Sequence, residues 1–175
     1  MASDFPSRYM VFDVESIGLH GEGFAVGWVV IDEAGTEIGA GMFACYPSEA
    51  MGAASDRAWV AANCPTLPVN CSTVYEVRAA FWQAWLKEKD LGAALVADCA
   101  WPVEARFLAA CVDQAPNGRR WEGPYPLHDV ASARLAAGLD PLATVERLPS
   151  EEPKHNPLMD ARQSARLWLE AIHGQ

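Results

Sequence analysis

The chain has 175 residues, of which 51% are hydrophobic and 21% charged, so it is not a disordered segment and holds enough apolar material for one domain with its own core. Its formal net charge is −10, from 23 acids against 13 Lys and Arg, which weighs against gripping long duplexes through an extended basic surface and leaves short or single-stranded substrates held through metal ions. The polar opening MASDFPSR and the absence of a span-length apolar run predict neither a signal peptide nor a transmembrane helix, so the expected setting is the cytoplasm with no membrane contact. The five cysteines, Cys45, Cys64, Cys71, Cys99 and Cys111, are odd in number and form no CxxC pair, so they are read as free thiols in the core or in loops.

The stretch YMVFDVESIGL, residues 9–19, reads as a buried strand whose end carries two acids. Residues two apart share a face, so Asp13 and Glu15 lie on the side of Tyr9 and Val11, while Met10, Phe12 and Val14 fill the other. With both faces apolar, the strand belongs in the middle of a sheet covered on both sides. Two carboxylates at its end repel unless a cation sits between them, and a divalent metal is the natural candidate. Seen alone, a DxE at a strand end is more often a pair of solvated acids.

HGEG (20–23) is a turn, and FAVGWVVID and TEIGAGMFACY are strands joined at Asp32 to Gly35, which gives an antiparallel meander with the first strand. From Pro47 to Asn70 the pattern is lost to a long loop with one short helix near Trp59, and loops of that length are often functional. Thr73 with Glu76 marks a capping box for a helix over 74–88, with Val74, Val77, Ala80, Phe81, Ala84 and Trp85 as its apolar stripe. LGAALVAD is a fourth strand, parallel to the first and ending on Asp98. Pro102 opens a helix to about Val112, 116–126 is a loop, Asp129 caps a helix ending at Gly138, and Asp140 caps a short one after it.

The last helix has Asn156 as N-cap, Pro157 at its first position and Gly174 past its end. Leu158, Ala161, Ala165, Trp168, Leu169 and Ile172 form its expected core side, with Arg162, Arg166 and Glu170 facing solvent and Arg166 spaced to pair with Glu170. Asp160 falls outside both groups, on a flank with Ser164, Leu167 and Ala171, and is expected at the seam between helix and sheet. His155 immediately precedes the helix.

VFDVESIGL and HNPLMD, taken together and in this order, resemble the motifs of the DEDD exonucleases of the ribonuclease H-like superfamily, in the subgroup with a histidine five residues before the final acid (DEDDh). The resemblance spans nearly the whole chain. It implies an α/β, ribonuclease H-like fold over 1–175, with a mixed five-stranded sheet and helices on both faces. The middle motif departs from the family. Where relatives place an Asp at a helix start, this chain has DCAWPVEARFL, so either Asp98 at the strand end or Glu104 in the first helical turn is the third acid, with Asp98 slightly favoured by strand position and residue type.

The resemblance implies a 3′-5′ exonuclease that releases 5′-mononucleotides from single-stranded or short RNA or DNA, using two Mg²⁺ or Mn²⁺ ions about 4 Å apart. Hard oxygen ligands suit those ions. It implies that Asp13 bridges both ions, Glu15 and Asp160 complete one site, Asp98 or Glu104 serves the other, and His155 takes the proton from the attacking water. The backbone of Ser16, Ile17 and Gly18 borders the terminal nucleotide, and a homodimer is implied by analogy with oligonucleotide-trimming relatives. The alternatives are a nucleic-acid-binding module of the same fold that has lost turnover, and a phosphatase using the same acids. His20 and His173 are expected on the surface and His128 at a strand end or cap, while Arg119, Arg120 and Trp121 are read as an exposed loop before a strand-binding patch. Replacing Asp13 or Asp160 by Ala is expected to leave stability equal or higher, because each removes a member of a repelling cluster.

Overall fold

The computed structural model describes residues 6–174; the first five residues of the polar opening lie outside it, as does Gln175. Strands β1 (Arg8–Ser16), β2 (Gly23–Asp32) and β3 (Glu37–Ala44) form the expected antiparallel meander. β4 (Ala93–Ala97) lies parallel to β1, and the two-residue β5 (His128–Asp129) lies parallel to β4, giving the order β3-β2-β1-β4-β5. This is the mixed five-stranded α/β sheet that the sequence predicts. Among the described residues no helix is long and apolar enough to cross a membrane.

The alternation along β1 divides the core into two. Met10, Phe12 and Val14 join Phe81, Trp82 and Trp85 of α2 (Val74–Asp90) and Phe107 and Leu108 of α3 (Ala105–Gln114). Phe81 is the hub of this side, with ring centroids 5.2 Å from Phe12, 5.4 Å from Phe107 and 6.2 Å from Trp28, and each such pair adds about 1 kcal/mol beyond its buried area. Tyr9 and Val11 on the opposite face meet Val130 of α5 (Val130–Ala136) and Trp168 of α6 (Pro157–His173). Helices therefore cover both faces.

The caps form as the sequence requires. Thr73 Oγ1 accepts from the Glu76 amide at 3.2 Å and the Glu76 carboxylate accepts from Ser72 N at 2.6 Å. Asp129 accepts from Ser132 N at 2.6 Å, and Asn156 from Leu158 N at 3.1 Å. Trp101, which precedes Pro102, stays extended, as a residue before proline must, and helical geometry starts only after it.

Several expectations are corrected. The long loop carries the expected helix near Trp59 as α1 (Ala54–Asn63), but the segment after α3, where the sequence predicts only a loop, begins with the short α4 (Pro116–Arg119). Asp140 caps no helix: its side chain accepts from Leu142 N at 2.9 Å in a local turn, since no apolar stripe follows to reward helix formation. On α6 the buried arc is turned toward Asp160, with Ser164 and Leu167 inside and Ile172 exposed. α6 packs on β1, β2 and α5 together, so it buries a wider arc than a helix lying on a sheet alone. Arg166 pairs with Glu151 at 2.7 Å and Glu170 with Arg134 at 2.7 Å, and Glu170 also acts electrostatically on Arg166.

Candidate metal centre

β4 runs beside β1 only as far as Phe12, so the acid-bearing end of β1 projects beyond its neighbour. Asp13 pairs in register with Gly27 of β2, and a Cβ on Gly27 would overlap the Pro157 carbonyl carbon and the Leu158 amide. Glycine here lets the first turn of α6 lie directly on the sheet, which brings Asp160 to Asp13 and Glu15. Oxygens of these three acids all lie within 4.8 Å of one another.

Removal from water is the largest cause of the raised pKa values throughout the cluster. Asp13 is held well above the usual carboxylate range by that removal and then by the charges of Glu104, Asp160, Glu15 and Asp98. Burial pushes Glu15 up to about 7, with Asp160 adding to the rise and a hydrogen bond from Cys64 opposing it. The Glu104 carboxyl is pushed up to about 8, chiefly by burial, with the nearby backbone amides of Glu104 and Val14 opposing the rise. Asp98 is raised by burial and opposed by the Ser164 hydroxyl, which donates to it at 2.9 Å.

The other four predicted acids thus surround Asp13 from two sides. Asp98 faces α6 through Ser164, while Glu104 is buried on the turn leading into α3, near the Val14 amide. Among the acids acting on Asp13, Glu104 exerts the largest effect and Asp98 the smallest.

His155 has φ +59°, a left-handed conformation that a non-glycine residue holds only where its surroundings impose it. Its Nδ1 lies 3.7 Å from Glu15 Oε1, and its ring meets Trp59 of α1 edge-on with centroids 5.1 Å apart. Cys64, just past α1, places Sγ 3.7 Å from Glu15 Oε2. The Ser16–Gly18 turn follows directly, but Ile17 N bonds Glu22 O, Gly18 N bonds Ser16 O, and the Ile17 side chain is buried. That turn offers a surface rather than free donors.

Arg147 is the cation that sequence reading missed. Its Nη2 lies 2.6 Å from Asp160 Oδ1, and the guanidinium also donates to the Glu151 carbonyl and, at 2.8 Å, to Gln163 Oε1. The Asp160 contact is out of line for a hydrogen bond, so Oδ1 is buried with no hydrogen-bond partner among the described residues. Arg147 thus offsets part of the charge at Asp160, while Asp13 and Glu15 within 4.8 Å leave a surplus of carboxylates that suits a bound cation. Arg147, Lys154, Gln163 and Ser164 line a cleft of about 260 Å³ with Asp13, Glu15, Asp98, His155 and Asp160. Of the residues missed, only Trp59 and Cys64 carried a signal, as members of a long loop that predicted function in general terms.

The remaining expectations resolve simply. His20 and His173 are exposed, and His128 opens β5, its ring against Trp168. Arg119 lies over Trp82 and donates to Cys111 O at 2.8 Å, while Trp121 is exposed beside Arg120. All five cysteines are free.

Neither a protein-family model nor a curated protein matches the chain by sequence. Solved structures do match by fold. A 3′-exonuclease studied for 3′-end-specific recognition of the histone mRNA stem-loop aligns over 97% of this chain and 65% of its own, with TM-score 0.58 and 13% identity. Exonuclease I from Methylocaldum szegediense aligns over 95% and 41%, with TM-score 0.61 and 12% identity. E. coli exonuclease I bound to a dT13 oligonucleotide aligns over 97% and 41%, with TM-score 0.57 and 12% identity. The chain therefore spans about two thirds of the first relative and 41% of the other two. Its mixed five-stranded α/β fold is the one shared by these exonuclease structures.

Proposed function

We propose that this chain is a single exonuclease domain, residues 1–175, that hydrolyses single-stranded or short RNA or DNA from the 3′ end to 5′-mononucleotides. The observation that carries this reading is the meeting of Asp13, Glu15 and Asp160, from opposite ends of the chain, within 4.8 Å at the end of the central strand. Fold likeness to 3′-5′ exonucleases supports it.

Asp13, Glu15 and Asp160 would hold Mg²⁺ or Mn²⁺, and Glu104 or Asp98 would complete a second position. Such ions, when bound, polarise phosphate oxygens and make a water acidic enough to attack at neutral pH. The preference for Glu104 as third acid rests on its stronger effect on Asp13, although Asp98 and not Glu104 is among the residues that line the cleft. His155 accepts the proton of the attacking water. With Nδ1 held toward Glu15, Nε2 is the nitrogen left to receive it, and contact with Trp59 keeps the ring from turning. The Ser16–Gly18 turn borders the terminal nucleotide by shape.

The test is release of mononucleotides from labelled 3′-OH oligomers, RNA and DNA, with Mn²⁺ against EDTA. Metal-dependent 5′-mononucleotides are expected; free phosphate would indicate a phosphatase instead. A second reading, a nucleic-acid-binding module without turnover, is favoured by one feature: Arg147 already supplies a positive charge at Asp160. That reading predicts oligonucleotide binding with no product in either condition.

A further inference from the structure

Cys64 has no task in the proposed hydrolysis, yet its sulfur faces the site. Glu15 Oε2 lies 3.7 Å from Cys64 Sγ, Glu15 Oε1 lies 3.7 Å from His155 Nδ1, and one ligand atom from each of the three residues falls within 4.8 Å of the others. This group differs in kind from Asp13, Glu15 and Asp160. It offers one sulfur, one nitrogen and one oxygen rather than oxygen alone. Tetrahedral zinc, with bonds of about 2.0–2.3 Å, sets its ligand atoms about 3.3–3.5 Å apart, so small side-chain movements would close the set.

The three positions are independently fixed. Glu15 is on the central strand, Cys64 ends α1 with its amide bonded to Val60 O at 2.9 Å, and His155 is held by its left-handed backbone and by Trp59. Glu15 and His155 line the cleft, so three protein ligands leave a fourth position open toward it, the coordination that zinc adopts outside fully closed structural sites. Mg²⁺ and Mn²⁺ favour oxygen, whereas a thiolate selects a softer ion.

We propose that Glu15, Cys64 and His155 form a binding site for a thiophilic divalent cation, zinc by its chemistry, which overlaps the acidic site through Glu15. The Cys64 proton passes to solvent as the sulfur–zinc bond forms, His155 donates a neutral nitrogen lone pair, and no oxidant is needed. A zinc ion there engages Glu15 and His155 together, so it excludes the activating cation and silences the proton acceptor. This inhibitory consequence rests on the exonuclease reading. The binding itself does not.

Titration of the full chain with Co²⁺, a spectroscopic stand-in for zinc, decides the matter. A thiolate-to-cobalt charge-transfer band saturating at one equivalent and erased by Zn²⁺ is expected, with the band lost in Cys64→Ser. Zinc affinity, read by competition with a chromophoric chelator, should fall about 100-fold in that variant, as loss of one of three ligands implies. A wild-type protein without the band, or Cys64→Ser with unchanged zinc affinity, overturns the site. Should Cys64→Ser not fold, alkylation mapped by mass spectrometry on the wild type serves: Zn²⁺ should protect Cys64 while exposed Cys99 stays reactive, and equal labelling of Cys64 with and without zinc overturns it. Zinc should also suppress Mn²⁺-supported nucleotide release in the wild type. If no nucleotide is released at all, the exonuclease reading fails while the cobalt band still reports on the zinc site.

Discussion

Gly27 and Asp13 lie directly opposite each other on β2 and β1, and the start of α6 rests on the glycine. The missing side chain at one position therefore permits the acidic cluster at the other. Gly27→Ala sets a methyl against backbone atoms of Pro157 and Leu158, which cannot rotate away. A loss of about 3 kcal/mol in urea unfolding is expected, at the upper end for overpacking, together with at least about tenfold weaker Mn²⁺ binding. Unchanged values for both would show that α6 adjusts freely and that the close approach is incidental.

Glu15 gives the metal-free protein a defined response to pH. Its carboxyl ionises near pH 4.5 in an unfolded chain but only at about 7 in the folded one. Between those values the folded state holds the extra proton, so stability falls as pH rises through the window, by up to about 3 kcal/mol. Melting temperature in EDTA should therefore drop from pH 5 to pH 7.5, and Mn²⁺ should restore it at the upper end. A flat profile in EDTA would mean that Glu15 is not held protonated.

The two acids that sequence reading treated alike part company in the structure. Asp13 is surrounded by acids, so Asp13→Asn should raise metal-free stability by about 1 kcal/mol at pH 7.5. Asp160 is also raised by burial, but Arg147, whose side chain is only 8% exposed, opposes that rise, so Asp160→Asn, which leaves the guanidinium without its carboxylate, should cost about 2 kcal/mol instead. Calorimetry on the pair in EDTA separates these signs. Equal gains would return Asp160 to the repelling cluster and remove the significance given to Arg147.

Glu104 and Asp98 can be ranked by metal binding alone. Glu104→Gln should weaken Mn²⁺ affinity by at least about tenfold, and Asp98→Asn by a smaller factor, since Asp98 acts less strongly on Asp13. Isothermal titration of both variants makes the comparison, and the reverse ranking would restore Asp98 as the third acid.

His155→Ala should lower the rate of nucleotide release by about 100-fold or more while Mn²⁺ affinity changes little, because the side chain acts on the water's proton rather than as a ligand for the activating ion. An unaltered rate would remove His155 from the reaction.

Much of this molecule is written in local pattern. The period-two alternation of β1 assigns each of its side chains to a face, Thr73, Asp129 and Asn156 announce the helix starts they cap, and the five-residue step from His155 to Asp160 survives intact in the fold. Such features need only neighbours within a few residues, so backbone geometry and hydrophobic spacing are enough to determine them. The rest depends on how distant segments pack. Cys64 reaches Glu15 from 49 residues away because α1 closes over the cleft; Arg147 finds Asp160 only after the loop before α6 has folded back; and the inner arc of α6 shifts because α5 adds a second surface to bury. The sequence alone thus determined the strand, the caps and the spacing of the acids. Only the tertiary structure decided which charges, sulfur and ring meet them, since burial and long-range packing set those distances and leave no periodic trace along the chain.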